Sequence, residues 1–195
     1  TLTYDGAGNN LTETDPLGNT TAFTYDINGR LLSLTDAAGK TEHRAYDAAG
    51  RLTGQTDKLG NVTLTTYSSV GDGQKVASRT DALGKLIRVD YDALGKLTKT
   101  TFPDGAVETT TYDVENRAIA NTNRDGRTTT FQYDALGRKT RTTHPDGAIA
   151  STTWDAADRM LTQTDERGNT TTLAYAANRQ TVTDAMGHSS VHQFD

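Results

Sequence analysis

No cysteine occurs among the 195 residues, which excludes disulfides and thiolate metal centres and leaves the redox compartment open. Apolar residues make up only 33% of the chain, below the range usual for a globular domain, so a thick hydrophobic core is not expected. An excess of basic charge is also missing. Twenty Lys and Arg stand against 25 Asp and Glu, for a net charge of −5; no face is left to neutralise phosphates, and nucleic acid is excluded as a partner. No stretch approaches the roughly 18–20 apolar residues that span a bilayer, and Thr1-Leu2-Thr3-Tyr4-Asp5 has none of the regions of a signal peptide. Disorder is opposed by the small net charge together with eight Tyr, four Phe and one Trp.

What the chain does hold is a repeat. An aromatic residue stands at Tyr4, Tyr25, Tyr46, Tyr67, Tyr91, Tyr112, Tyr133, Trp154, Tyr175 and Phe194, at a step of 21 with one step of 24 and a last step of 19. Most copies continue as Asp-x-x-Gly-Arg/Lys, with Asp26 and Gly29, Asp47 and Gly50, Asp92 and Gly95, and Asp134 and Gly137 as examples. A second turn follows about halfway through each unit, preceded by a Thr: Thr14, Thr35, Thr56, Thr80, Thr101, Thr122, Thr143, Thr164 and Thr183. Turns therefore recur every 10 or 11 residues. That spacing suits strands of about 5–6 residues and hardly admits a helix with its connection.

The turn chemistry is specific. Asp-x-x-Gly matches a type I turn followed by a left-handed residue. Pro16, Pro103 and Pro145 all fall at the second turn position, where a fixed φ near −65° fits. Where the terminal Gly is replaced, the substitutes are Asn116, Asp158 and Asn178, residue types that tolerate positive φ. The leading Asp can accept hydrogen bonds from N–H groups inside its own turn. Between turns, Thr, Val, Ile, Tyr and Phe dominate, as pleated strands favour. Alternation places Phe23 with Tyr25, Phe131 with Tyr133, and Ile87 and Val89 with Tyr91. Neither face reads as a deep core.

Eighteen turns between Gly8 and Gly187 predict about nineteen short strands in an all-β, antiparallel array of tandem hairpins. An open sheet of that many strands is expected to coil. Residues 1–195 read as a single array of about nine units, cut mid-repeat at both ends, with an enlarged loop region at 68–80 where three residues are added. The unit that starts at Tyr175 is two residues short, which keeps the period-2 alternation. A β-propeller of 42-residue blades is the alternative architecture. It predicts a difference between odd and even units, whereas the period is 21.

The iterated signature, as in Tyr46-Asp47-Ala48-Ala49-Gly50-Arg51-Leu52 and Tyr91-Asp92-Ala93-Leu94-Gly95-Lys96-Leu97, resembles the YD repeats of the Rhs (rearrangement hotspot) family over essentially the whole chain. The resemblance implies a β-strip that spirals into a hollow shell, as in bacterial polymorphic toxins, insecticidal toxin complexes and teneurins. It further implies a secreted or delivered bacterial protein whose shell encloses a toxin or other cargo domain. The partners would be neighbouring repeats and that cargo, with self-association through open sheet edges. The family's self-cleaving segment is approached only by Asp15-Pro16-Leu17-Gly18-Asn19 inside an ordinary repeat, so no protease is carried over.

Chemistry-bearing residues are read against that background. The aromatic ladder suits carbohydrate or a cell-surface partner by stacking; equally, each ring covers its own turn and packs on the ring one unit away. Each Asp turn offers a single carboxylate where calcium wants six to eight oxygens. His188 and His192, four apart on a strand, lie about 13 Å apart, too far to share zinc. No nucleophile, base and orienter form a distinctive pattern, and no phosphate loop is present. The expectation is a structural wall, not an enzyme, with no catalytic residue, metal or cofactor.

Overall fold

The computed structural model describes residues 1–194 and is all-β. It divides into two compact units, one from Thr1 to Gly105 and one from Ala106 onward. The first holds β1 (Leu2–Tyr4), β2 (Asn10–Thr14), β3 (Thr20–Tyr25), β4 (Leu31–Thr35), β5 (Thr41–Tyr46), β6 (Leu52–Thr56), β7 (Val62–Tyr67), β8 (Val76–Thr80), β9 (Leu86–Tyr91) and β10 (Leu97–Thr101). The second holds β11 (Val107–Tyr112), β12 (Ala118–Thr122), β13 (Thr128–Tyr133), β14 (Lys139–Thr143), β15 (Ile149–Trp154), β16 (Met160–Thr164), β17 (Thr170–Ala176), β18 (Arg179–Thr183) and β19 (Ser189–Gln193).

Within each unit every strand pairs antiparallel with its neighbours in sequence, from β1 to β10 and from β11 to β19. Four-stranded blades would interrupt that pairing after every fourth strand. No interruption occurs inside either run, so the propeller alternative is overturned and an open meander of tandem hairpins stands. The stretch between β7 and β8 that departs from strand geometry is 68–75, because Val76–Thr80 is β8; the 68–80 region thus contains a strand at its end.

The two kinds of turn differ in register. At the aromatic turns Tyr25 pairs with Leu31 while Thr24 pairs with Ser33, which leaves Leu32 as an extra residue, a β-bulge. The same slip follows Tyr4, Tyr46, Tyr67, Tyr91, Tyr112, Tyr133 and Trp154. The Thr turns inside each run have none, and their base is closed by paired hydroxyls such as Thr14 with Thr20 at 2.9 Å and Thr122 with Thr128 at 2.8 Å. Left-handed φ falls where the turn chemistry requires it: Gly29 at 75° and Gly137 at 81°, and Asn116, Asp158 and Asn178 at 67°, 64° and 54°.

In β7 and β13 alternation gives one half-buried and one exposed face, whereas every residue of β4 is half-buried. In β13 Thr129, Phe131 and Tyr133 are half-buried while Thr128, Thr130 and Gln132 are exposed; β7 repeats the pattern. Among the described residues only Leu173, 8% exposed, counts as buried and apolar. Order in this chain must therefore come from hydrogen-bond ladders and from what its turns do, because burial contributes little.

Candidate functional site

The aromatic edge carries the densest side-chain geometry, and it starts with the turn Asp. Asp134 Oδ1 accepts from the backbone N–H groups of Leu136 and Arg138, both at 3.0 Å, while Arg138 Nε donates to Oδ2 at 2.7 Å. Asp26 makes the same three bonds with the Asn28 N–H and the Arg30 N–H and Nε, and Asp47 with the Ala49 N–H and the Arg51 N–H and Nε. Asp92 holds Leu94 and Lys96 in that way through its Oδ1. At the Thr turns of Asp15, Asp57 and Asp165, the Asn that follows the turn replaces Arg and donates its side-chain amide to Oδ2 at 2.8 Å.

The Asp26, Asp47 and Asp134 carboxylates thus have both oxygens engaged by their own loops. The hydrogen bonds hold the Asp47 and Asp134 carboxyls below their ordinary range, chiefly through the Arg51 and Arg138 side chains, and Asp26 chiefly through the Arg30 N–H. Lone pairs already engaged this way are not offered to a cation. Among the described residues no group of three or more His, Asp or Glu is placed to hold a metal ion. His188 lies in a turn against Asp184 at 3.1 Å, whereas His192 is in β19 opposite Gln180.

The same Arg reaches into the next repeat. Its guanidinium sits over the aromatic ring sixteen residues on: Arg30 over Tyr46 at 5.1 Å, Arg51 over Tyr67 at 4.5 Å, Arg117 over Tyr133 at 5.0 Å, Arg138 over Trp154 at 5.5 Å and Arg159 over Tyr175 at 4.4 Å. It also donates to the carbonyl of the next turn's leading Asp, from Arg30 to Asp47 and Arg117 to Asp134 at 3.3 Å and from Arg138 to Asp155 at 2.8 Å. The ring answers in the reverse direction. Tyr67, Tyr91, Tyr133 and Tyr175 hydroxyls donate to the carbonyls of Leu52, Val76, Ala118 and Met160, and Trp154 Nε1 donates to that of Lys139.

These contacts form a staple between successive units. The enlarged loop preserves it: Arg51 donates to the Gly73 carbonyl within 68–75, and Lys75 lies over Tyr91 at 5.7 Å. The repeat spacing alone suggests a neighbouring ring against each ring. What the preceding unit lays on the ring is a cation. The legible signal was the constant sixteen-residue spacing from Arg or Lys to the next aromatic. Tyr25 and Tyr112 are half-buried like the other inner rings, while Tyr4 and Phe194 are each 56% exposed. Stacking of a sugar on a ring that lies under a cation is limited to the side the cation leaves open.

The family model of the teneurin YD-shell matches residues 1–194. The chain belongs to the teneurin YD-shell family. Solved structures similar to this YD-shell chain include TcdB2-TccC3 without its hypervariable C-terminal region (TM-score 0.44, 15% identity, 91% of this chain and 12% of that one) and TcdB2-TccC3 (0.44, 16%, 91% and 12%). The Photorhabdus luminescens Tc holotoxin pore with a TccC3 mutation is another (0.39, 14%, 95% and 14%). The chain spans about an eighth of the length of the first of these. No curated protein matches it. Among the described residues of this YD-shell chain, no helix is long and apolar enough to cross a membrane.

Proposed function

We propose that the chain is a wall segment of a YD-repeat shell that encloses a toxin or other cargo domain of its parent protein, for secretion and delivery by a bacterium. The observation that carries this reading is the staple. A wall with almost no core must close its seams unit by unit, and a guanidinium that grips its own turn, the next ring and the next turn carbonyl does so at the same repeat position in Arg30, Arg117 and Arg138. The role is mechanical retention, with no reaction assigned to any residue. Neighbouring repeats and the enclosed domain are its partners.

Removal of one 21-residue unit, 113–133, from the intact parent protein tests the reading. The expected result is that the cargo becomes accessible to added protease while the separated cargo keeps its activity. Unchanged protection of the cargo after the deletion would overturn it.

A further inference from the structure

Of the ten Asn residues in the chain, Asn28 is the one that Gly follows. It stands exposed at the third position of the aromatic turn Asp26-Ile27-Asn28-Gly29. The side-chain amides of Asn9, Asn19, Asn61 and Asn169 each donate to the carboxylate that leads their own turn, at 2.7 Å for Asn9 and 2.8 Å for the others. The Asn28 amide makes no such bond among the described residues; its backbone N–H alone is engaged, by Asp26 Oδ1 at 2.9 Å. Gly29 has no side chain to shield its nitrogen. In the closed turn that nitrogen is held back, because its N–H donates to the Asp26 carbonyl at 3.0 Å and Arg30 Nε grips Asp26 Oδ2 at 2.6 Å.

We propose that Asn28-Gly29 is a site of spontaneous modification, where the Asn28 amide is converted to aspartate and isoaspartate at a rate set by opening of the Asp26–Arg30 clasp. Once the turn opens locally, the Gly29 nitrogen attacks Asn28 Cγ. The N–Cγ bond forms, the Cγ–Nδ2 bond breaks, and ammonia leaves with the Gly29 proton, so that a cyclic imide remains. Water opens the imide at Cγ to give aspartate, or at the backbone carbonyl carbon to give isoaspartate. Either product disturbs the clasp. Asp fills the third turn position only where the turn opens with Val70, Phe102, Asn123 or His144; in the turn led by Asp113 that position holds Glu115, whose longer side chain reaches Arg117 at 3.1 Å. A new aspartate at position 28 lies beside the Asp26 carboxylate, and isoaspartate adds a methylene to the backbone between Asp26 and Arg30. The aim of Arg30 at the Tyr46 ring and the Asp47 carbonyl is loosened in both. The site does not depend on the wall reading.

The test ages the 195-residue chain in mildly alkaline buffer and follows amide loss by peptide mapping with mass spectrometry. Labelling by an isoaspartate methyltransferase separates the two products. Conversion at Asn28 should precede that at Asn9, Asn19, Asn61 and Asn169. Arg30→Ala should speed it about fivefold, since a part-exposed charge-assisted bond no longer opposes opening. Arg117→Ala, which removes the equivalent bond from another hairpin, should leave the Asn28 rate unchanged. In the isoaspartate fraction, amide exchange in β3–β4 should be faster than in the unmodified chain, with β13–β14 the same in both. Conversion at Asn28 no faster than at the clasped Asn residues, indifference to Arg30→Ala, or equal exchange in the two fractions would each overturn the proposal.

Discussion

Two hairpins of the second unit differ in a way that isolates what the repeat motif does. In β13–β14 the turn opens with Asp134, Thr140 forms the bulge, and Arg138 goes on to Trp154 and the Asp155 carbonyl. In β17–β18 the turn is Ala176-Ala177-Asn178, with no carboxylate, and the ladder runs without a slip from Thr172–Thr183 to Ala176–Arg179. The two residues missing there are one from the turn and one from the bulge. Beyond the turn nothing shifts: Thr183 sits opposite Thr172 as Thr143 sits opposite Thr130. Tyr175 still receives its cation from Arg159. Arg179 gives none to the next ring, Phe194, among the described residues. Clasp, bulge and staple are lost together in this hairpin.

Acid should separate the two hairpins most strongly. The Asp134 carboxyl is held below its ordinary 3.8 by the Arg138 side chain and N–H. A carboxyl depressed in the folded state contributes stability that is fully present above its unfolded value and is lost as pH falls through the folded one. The hairpins clasped by Asp26, Asp47 and Asp134 should lose protection on acidification below about pH 4, the range of a free carboxyl, while β17–β18 has no clasp to lose. Amide exchange of Leu136 and Arg138 should accelerate before that of Ala176 and Arg179. A uniform loss along β11–β19 would contradict the comparison.

Next in size is the staple itself. Arg138→Ala removes the bonds to Asp134 and Asp155 and uncovers one side of Trp154. A melting temperature lower by several degrees is expected, with faster exchange at β15 as well as β14. Arg138→Lys should recover only part, because an ammonium cannot span Asp134, the ring and the carbonyl with one planar group. Arg179→Ala should change neither quantity. Equal effects of Arg138→Ala and Arg179→Ala would mean that the staple holds nothing between units.

The turns were legible in the sequence because their determinants are local: an Asp that must reach two N–H groups, and a Gly, Asn or Asp that must accept positive φ, all lie within five residues. The strands followed from the turns. The staple is not legible in the sequence, since Arg138 and Trp154 are neighbours only once the hairpins are paired. The bulge also escaped notice. A single extra residue such as Thr140 leaves no compositional mark and shows itself only as a slip in pairing.

The smallest effect concerns the turn that lacks a clasp. Asn178 holds φ at 54°, a conformation that costs an L-residue more than Gly, and the Phe194 N–H bond falls on its backbone carbonyl. Asn178→Gly should relieve the left-handed strain, partly offset by the added freedom of the unfolded chain, for a net gain of about 0.5 kcal/mol. The reciprocal change, Gly137→Asn at φ 81°, should cost a similar amount, because nothing lies closer than 3.8 Å to an added Cβ there and strain alone decides. Chemical denaturation of both variants measures the pair. If Asn178→Gly destabilises while Gly137→Asn follows expectation, the Asn178 side chain does for its hairpin part of what Asp134 does for the other, and the loss of clasp in β17–β18 is less complete than its turn sequence implies.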